Sequence, residues 1–241
     1  MNLTYLRLEI LRVLRLPQMV AITVGLPVAL FVVLAALFDG SPGGVSATAY
    51  TMQSMAAYAS LGTAMFSAGA IALERRIGWN RQLRLTALPP HSYVVVKGTA
   101  AWLLALLGLA PVYLAGAIAG VTLPAWRWAA LTATTWTALL PFVLLGIALG
   151  LLGTSESVQA VTTVLVLTLA LLGGMWFPVD VLPHTMQIIA HATPSYWLNA
   201  LGRAVIGAPS FTWTGVAVLA GWTAAIAGVA IVRYRADAKR A

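Results

Sequence analysis

The chain has 241 residues, of which 61% are hydrophobic and 8% are charged, and its formal net charge is +8. A soluble domain needs a more polar surface than this composition supplies. Several uncharged runs reach the roughly 20 residues that a helix needs to cross a bilayer. The composition therefore predicts an all-α integral membrane protein with a single transmembrane domain over residues 1–241. The absence of cysteine excludes disulfides and thiolate metal sites.

The predicted elements begin with an amphipathic helix over residues 1–16, which we expect to lie in the membrane interface because apolar residues and three arginines alternate at near-helical spacing. Pro111 predicts a kink in the third span, and the polar start of the second span predicts a surface that lines a wet space or packs against a partner. Six transmembrane helices follow the interfacial helix, at about residues 18–38, 45–73, 98–120, 129–152, 158–174 and 211–232.

The region of residues 176–202, between spans five and six, is apolar but makes a poor span. Pro178, Pro183 and Pro194 interrupt any long helix, and its polar side chains would be costly against lipid. We predict two short re-entrant outer helices that are shielded by protein. A seventh full span here would place the basic C-terminal tail outside, so the charge pattern favours six spans.

Basic residues are concentrated on one predicted face of the membrane. Twelve of the 14 Lys and Arg residues lie before span one, between spans two and three, or after span six. Because cytoplasmic loops are enriched in these residues, both termini are predicted to be cytoplasmic. The abundance of Arg over Lys and of Ala is typical of a GC-rich bacterium. We expect the protein to lie in a bacterial cytoplasmic (inner) membrane. The charge lies beside the spans, so it indicates contact with the lipid bilayer and a cytoplasmic partner rather than nucleic acid.

The sequence lacks the motifs of an enzyme or of a self-sufficient pump. There is no GxxxxGK[ST] phosphate loop, no HExxH or GxSxG string, and no ionisable residue in the middle of a predicted span. These absences argue against an ATPase, an intramembrane hydrolase and an ion-coupled transporter. His184 and His191 are expected to face water rather than to share a metal. If the protein is a pump, its energy must come from a partner.

The segment of residues 74–91 is too polar for the membrane. Leu83, Leu85 and Leu88 interleave with basic residues, which predicts a short amphipathic helix that ends at Pro89 and Pro90. In the simplest interpretation this segment is a basic loop that only fixes topology.

Two stretches of the sequence are similar to a known family. The first is the acidic-basic segment after span two, which contains Gly78 and closes on Pro and Ser. The second runs from Gly173 to Pro178 with the sequence GGMWFP, followed by Leu-Pro at 182–183 and PSYW at 194–197. Together they resemble the permease subunits of ABC-2 type ATP-binding-cassette exporters, in particular drug and antibiotic-resistance permeases of the daunorubicin-resistance kind. The amphipathic start and the six spans agree, so the resemblance covers essentially the whole chain.

The resemblance implies a role for each stretch. Residues 74–91 would form a coupling helix that docks on a separate ABC ATPase subunit, which holds ATP and magnesium, while this chain binds no cofactor or metal and is not itself an enzyme. The coupling residues would be Glu74, Arg75, Arg76, Gly78, Trp79, Arg81, Arg84, Leu88 and Pro89. The outer stretch would gate the exit through Trp176, Phe177, Pro178, Pro183, Pro194 and Tyr196. On span two, Tyr58, Met65 and Phe66 either line a substrate path or are packing residues.

The function that the resemblance implies is export of an amphipathic drug, antibiotic or lipid-like molecule. The permease would work as a dimer with a second copy or a sister permease, because six helices are few to enclose a path for a bulky solute. A nearer alternative is a permease that exports polysaccharide or lipid. An alternative of another class is a non-transporting assembly or sensory subunit whose basic loop only binds lipid.

Overall fold

The computed structural model describes residues 3–15, 17–37, 46–65, 67–78, 92–208 and 212–239. In this part of the chain the regular elements are α-helices and a 3₁₀ turn at Val179–Val181, without a β-strand. The α-helices are α1 (Leu3–Leu14), α2 (Pro17–Leu37), α3 (Ala47–Met65), α4 (Ser67–Arg76), α5 (Ser92–Leu104), α6 (Leu106–Ile118), α7 (Ala125–Thr137), α8 (Leu140–Leu152), α9 (Ser155–Leu172), α10 (His184–Ala192), α11 (Pro194–Val205) and α12 (Trp213–Lys239).

Four stretches are long and apolar enough to cross a membrane, namely Ala47–Arg76, Ser92–Ile118, Ala125–Leu152 and Trp213–Arg233. Thr23–Leu37 and Glu156–Leu172 are shorter apolar helices. The prediction of an all-helical, multi-pass membrane protein is confirmed. The count of six spans requires both shorter helices to cross as well, and it stays a prediction.

Helix α3 forms the centre of the bundle and packs against α2, α6, α8 and α11. Most of its side chains are small, and nearly all of them are buried. Without a hydrophobic driving force between helices in lipid, small residues stabilise a bundle by letting backbones approach closely. Gly108 on α6 shows how close they come, because a Cβ atom there would lie 2.7 Å from the backbone of Ala59.

Helix α8 approaches α3 and α4 through two glycines one turn apart. A Cβ atom at Gly146 would lie 3.1 Å from the backbone of Met65, and one at Gly150 would lie 2.7 Å from the carbonyl oxygen of Ala68. The GxxxG spacing therefore marks a real helix contact here.

Two of the long stretches are interrupted at the same place in the fold. Ala105 separates α5 from α6, and residues 138–139 separate α7 from α8. Beside these breaks Trp102 and Trp136 stack with ring centroids 3.9 Å apart. Each indole donates to the other residue's backbone carbonyl, at 3.0 and 2.7 Å. Because carbonyl oxygens at a helix break need new donors inside a membrane, this reciprocal pair stabilises both interruptions. Pro111, the predicted kink, lies inside α6, six residues after the break.

The region of residues 176–202 contains the 3₁₀ turn, α10 and the start of α11. Pro183 immediately precedes α10, and Pro194 is the first residue of α11, where its missing N–H costs no helical hydrogen bond. The structure thus has two short helices where the prolines predict them. Their re-entrant insertion into a membrane stays a prediction.

Candidate functional site

A buried ion cluster joins three helices at one end of the bundle. It consists of Glu9 and Arg12 on α1, Glu74 on α4, and Tyr93 and Lys97 on α5. The Lys97 ammonium donates to Glu9 and to Glu74, both at 2.6 Å. Arg12 donates to the same Glu74 carboxylate at 2.6 Å, and the Tyr93 hydroxyl donates to its other oxygen at 2.8 Å. The Glu74 carboxylate is therefore the acceptor at the centre of the cluster.

The cluster is balanced in charge and shielded from solvent. Glu74 and Lys97 are each 2% exposed and Glu9 is 8% exposed, whereas about half of the Arg12 side chain is accessible. Removing a charge from water is costly unless it is paired and hydrogen-bonded. Two carboxylates facing one ammonium and one guanidinium meet that requirement, so the cluster fixes α1 and α5 to the end of α4.

The two arginines that follow Glu74 extend these connections to α8 and α9. Arg75 donates to the carbonyl oxygens of Leu151 at 2.5 Å and Gly150 at 3.2 Å. These belong to the last turn of α8, where carbonyls lack helical partners and the helix dipole favours a cation. Arg76 forms an exposed ion pair with Glu156 at the start of α9. Residues 74–76 thus hold contacts with α1, α5, α8 and α9; we call this end of the bundle the basic end.

Gly78 turns the chain away from α4. Its φ of +74° lies in the left-handed region, which glycine adopts without steric penalty. Its N–H donates to the carbonyl of Arg75 at 3.2 Å. The chain therefore bends at this glycine.

At the opposite end, a neutral polar network surrounds the first half of α3. Gln53 is fully buried and donates to Thr135 on α7 at 3.2 Å, while Tyr113 on α6 donates to Gln53 at 2.8 Å. The polar start of span two therefore packs inside the protein, against other helices.

Asn199 on α11 extends this network. It is fully buried and donates to the carbonyl oxygens of Gly173 at 3.1 Å and Gly174 at 3.0 Å. It also exchanges long contacts of 3.3 and 3.4 Å with Ser54. These bonds hold the end of α9 against α11 and α3, so that they fix the outer motif to the central helix.

One further turn along α11, Arg203 places a guanidinium beside α3. The residue is 8% exposed. Its Nη1 donates to the Tyr50 hydroxyl, and its Cζ lies 4.8 Å from the centre of the Tyr50 ring. Among the described residues no carboxylate pairs with Arg203.

Comparison with known proteins decides the family. The family model described as ABC-2 type transporter matches residues 3–206. The chain belongs to the ABC-2 type transporter family. It is 29% identical over 214 residues to a protein of Bacillus subtilis (strain 168) named "Putative transport permease YvfS", covering 88% of this chain and 87% of that protein. No solved structure matches. The resemblance drawn from the sequence is confirmed, and this protein is a transport permease subunit, not itself the ATPase.

The structure describes four of the nine predicted coupling residues. Glu74, Arg75, Arg76 and Gly78 lie at the end of α4 as described above, and Glu74 points into the buried ion cluster instead of outward. Their docking role stays a prediction, and for Glu74 it would be indirect. Trp79, Arg81, Arg84, Leu88 and Pro89 lie outside the described residues.

The predicted gate residues divide by exposure. Phe177, Pro178 and Pro183 are exposed, Trp176 and Tyr196 are half-buried, and Pro194 is buried. Trp176 packs edge-on against Tyr58 of α3 with ring centroids 5.4 Å apart. Burial raises the pKa of the Tyr196 phenol above its ordinary value, and the Arg203 charge opposes this shift. A gating role stays a prediction.

The candidate substrate-path residues also differ in their burial. Met65 is fully buried in the main core, and Tyr58 is half-buried against Trp176. Phe66 lies outside the described residues. Met65 is thus a packing residue in this conformation, while Tyr58 touches the outer motif.

Sequence reasoning missed Glu9 and Lys97 as members of one site. It counted Lys97 among the membrane-flanking charges and Glu9 among the charges of an interfacial helix. A signal exists in α1, where Glu9 falls three residues after Leu6 and therefore on its apolar face. A carboxylate on an apolar face predicts a buried cationic partner, although not which one.

Proposed function

We propose that this permease is the membrane subunit of an ATP-driven exporter, and that a separate ABC ATPase subunit binds at the basic end through residues 74–91. ATP and magnesium would be bound by that ATPase. The observation that carries the proposal is the set of contacts made by Glu74, Arg75 and Arg76, which link the start of the docking segment to α1, α5, α8 and α9.

These contacts connect the docking segment rigidly to several helices. The buried ion cluster connects α4 to two helices through short charge-assisted hydrogen bonds, which are stronger than neutral ones. A push on residues 79–91 would therefore move the ends of several spans together rather than bend α4 alone. Glu74 positions this assembly, and Arg81 and Arg84 make the contact with the ATPase.

The orientation and assembly follow from the same proposal. The basic end faces the cytoplasm of a bacterial cell, with both termini on that side of the inner membrane. A second copy or a sister permease completes the transport path, and each permease receives one ATPase. The cargo is amphipathic, in the class of drugs, antibiotics and lipid-like molecules.

Purification of the tagged permease from its own host tests the proposal. The expected result is recovery of a phosphate-loop ATPase, identified by mass spectrometry, and faster ATP hydrolysis by that ATPase when both are reconstituted in liposomes. The double variant Arg81→Glu with Arg84→Glu reverses two charges in the proposed contact and should lower the ATPase yield about tenfold or more, since like charges facing each other across an interface are strongly unfavourable.

Arg7→Glu is the matched control, because Arg7 is an exposed arginine on α1 that makes no contact in the buried ion cluster. It should leave the ATPase yield unchanged. Wild-type recovery of the ATPase by the double variant, or no ATPase with the wild-type permease, would overturn the docking proposal.

A further inference from the structure

Arg203 differs from the buried charges at the basic end because no carboxylate among the described residues neutralises it. Glu74 and Lys97 are buried more deeply, yet each contacts opposite charge at 2.6 Å. In the described part of the chain, Arg203 contacts the hydroxyl and the ring face of Tyr50. A shielded cation without a counter-ion is energetically costly, and an ionisable group kept in such a place marks a functional site by default.

One edge of the guanidinium is committed to Tyr50, and the opposite edge, which we call the open edge, has a donor without an acceptor among the described residues. Nη1 is used by the Tyr50 hydroxyl, whereas Nε is buried and has no hydrogen-bond acceptor among the described residues. Nε and Nη2 together form a planar fork of two donors whose spacing matches the two oxygens of a carboxylate or phosphate. The open edge is therefore suited to a bidentate anion.

The surroundings of the open edge are aromatic and lie beside the outer motif. The Arg203 Cζ lies 4.8 Å from the centre of the Tyr50 ring, and Tyr196 precedes Arg203 by two turns of α11, where the Arg203 charge opposes the rise that burial gives to the pKa of its phenol. Asp180 is exposed on the 3₁₀ turn and makes no ion pair with Arg203. Aromatic faces beside a two-donor fork favour a ligand with an apolar body and an anionic head.

We propose that Arg203 is an anion-recognition point for amphipathic ligands that carry a carboxylate or phosphate group, held by its Nε–Nη2 edge. The proposal rests on the proposed export function for its meaning, because it assigns an acidic class of cargo to the outer half of the path. The binding site itself does not depend on the ATPase.

Fluorescence titration of the purified permease in a neutral maltoside detergent tests this site. The probes are 11-(dansylamino)undecanoic acid and its methyl ester, which share a fluorophore and chain and differ in the carboxylate. The wild type should bind the acid more tightly than the ester. Arg203→Gln should weaken acid binding about tenfold or more, since a hydrogen-bonded charge is lost, and leave ester binding unchanged. Arg203→Lys keeps the charge without the fork and should fall between the two.

Arg127→Gln is the matched control, because Arg127 also lies over an aromatic ring and has a buried Nε without an acceptor among the described residues, but it is less buried than Arg203. It should bind both probes as the wild type does. If Arg203→Gln does not give a monodisperse protein, Arg203→Lys against wild type carries the comparison. Equal affinity for acid and ester in the wild type, or equal acid binding by wild type and both variants, would overturn the site.

Two further arms identify the source of the anion and separate this inference from the export proposal. Competition by phosphatidylglycerol but not phosphatidylcholine, lost in Arg203→Gln, supports the site with a lipid headgroup as its ligand. A variant that loses its dimer while acid binding is unchanged would assign Arg203 to a subunit contact and overturn the site. Arg203-dependent acid binding without an associated ATPase would reject the export proposal alone, whereas ATPase coupling without Arg203-dependent binding would reject this inference alone.

Discussion

The two ends of the bundle solve the problem of polar groups in a membrane protein differently. At the basic end, Glu9, Glu74, Lys97 and Arg12 form a balanced set of opposite charges. At the opposite end, neutral amides and hydroxyls satisfy one another around α3, and Tyr50 is the partner of Arg203 among the described residues. Tyr50 and Glu74 are separated by on the order of 35 Å of helix rise, so the two sites are independent.

This difference separates charges that hold helices together from a charge that can bind a ligand. A buried charge whose partners are all supplied by the protein holds helices together, because its desolvation cost is offset inside the fold. For a buried charge with an open donor edge, the desolvation cost is offset only when an anionic ligand binds. The buried ion cluster therefore sets the shape of the basic end, whereas Arg203 is available for binding.

Lys97→Met should have the largest effect on stability, because two buried carboxylates lose their shared ammonium. Glu74 keeps its ion pair with Arg12, whereas Glu9 loses its ion pair with Lys97. Breaking a buried pair by removing one partner costs about 3–5 kcal/mol. Thermal unfolding of the purified protein in a neutral detergent should show a strongly lowered midpoint and a lower yield of monodisperse protein.

The double variant Glu9→Gln with Lys97→Met is the control, since it removes one negative charge along with the positive one. It should recover a clear part of the loss. A double variant no more stable than Lys97→Met would show that packing, not charge balance, makes Lys97 important, and the contrast between the two ends would weaken.

Gly150→Ala should be the next most disruptive change, because the added Cβ would lie 2.7 Å from the Ala68 carbonyl oxygen and from the Ile71 Cβ. Neither atom can move without shifting α4, so the expected cost is about 3 kcal/mol, at the upper end for overpacking. Gly228→Ala on α12 is the matched control, with nothing within 4 Å of its added Cβ. It should be neutral or slightly stabilising in the same unfolding measurement. Equal midpoints for both variants would show that α4 and α8 are not held by this contact.

Asn199→Leu tests the neutral network at the opposite end. It keeps the side-chain volume and leaves the Gly173 and Gly174 carbonyl oxygens without the Asn199 amide, which should cost about 2 kcal/mol. Ser54→Ala, which removes only contacts of 3.3 and 3.4 Å, should cost less than about 1 kcal/mol. A loss for Asn199→Leu as large as that for Lys97→Met would contradict the view that charge dominates the energetics.

The sequence predicted those parts of the fold that depend on residues close together in the chain. Long apolar runs predicted the helices, and Pro183 and Pro194 predicted the two short ones that follow span five. The interruptions at Ala105 and at residues 138–139 were not predicted, because they depend on Trp102 and Trp136 meeting across 34 residues. The proline signal pointed to position 111 instead.

The sites were predicted only in part, because their contacts join residues that are far apart in the chain. The family resemblance singled out Glu74 and the arginines after it, but it implied an outward contact for Glu74. Its burial results from partners on α1 and α5, and a helix pattern predicts which face is buried without naming what it meets. Arg203 is one of the two Lys and Arg residues outside the twelve on the basic face, and its lack of an anionic partner among the described residues is a property of the assembled fold.

The Arg76–Glu156 pair should show the smallest effect, and it tests whether burial or pairing sets the energy scale. Both side chains are mostly exposed, at 61% and 71%. Water and salt screen such a pair, so a double-mutant cycle with Arg76→Ala and Glu156→Ala should give a coupling energy below about 1 kcal/mol that shrinks further at high salt. The cycle isolates this pair from any other contact that either residue makes. A coupling energy above about 2 kcal/mol that resists salt would mean that an exposed pair can act like the buried ion cluster. In that case the connection from α4 to α9 would be as firm as those to α1 and α5.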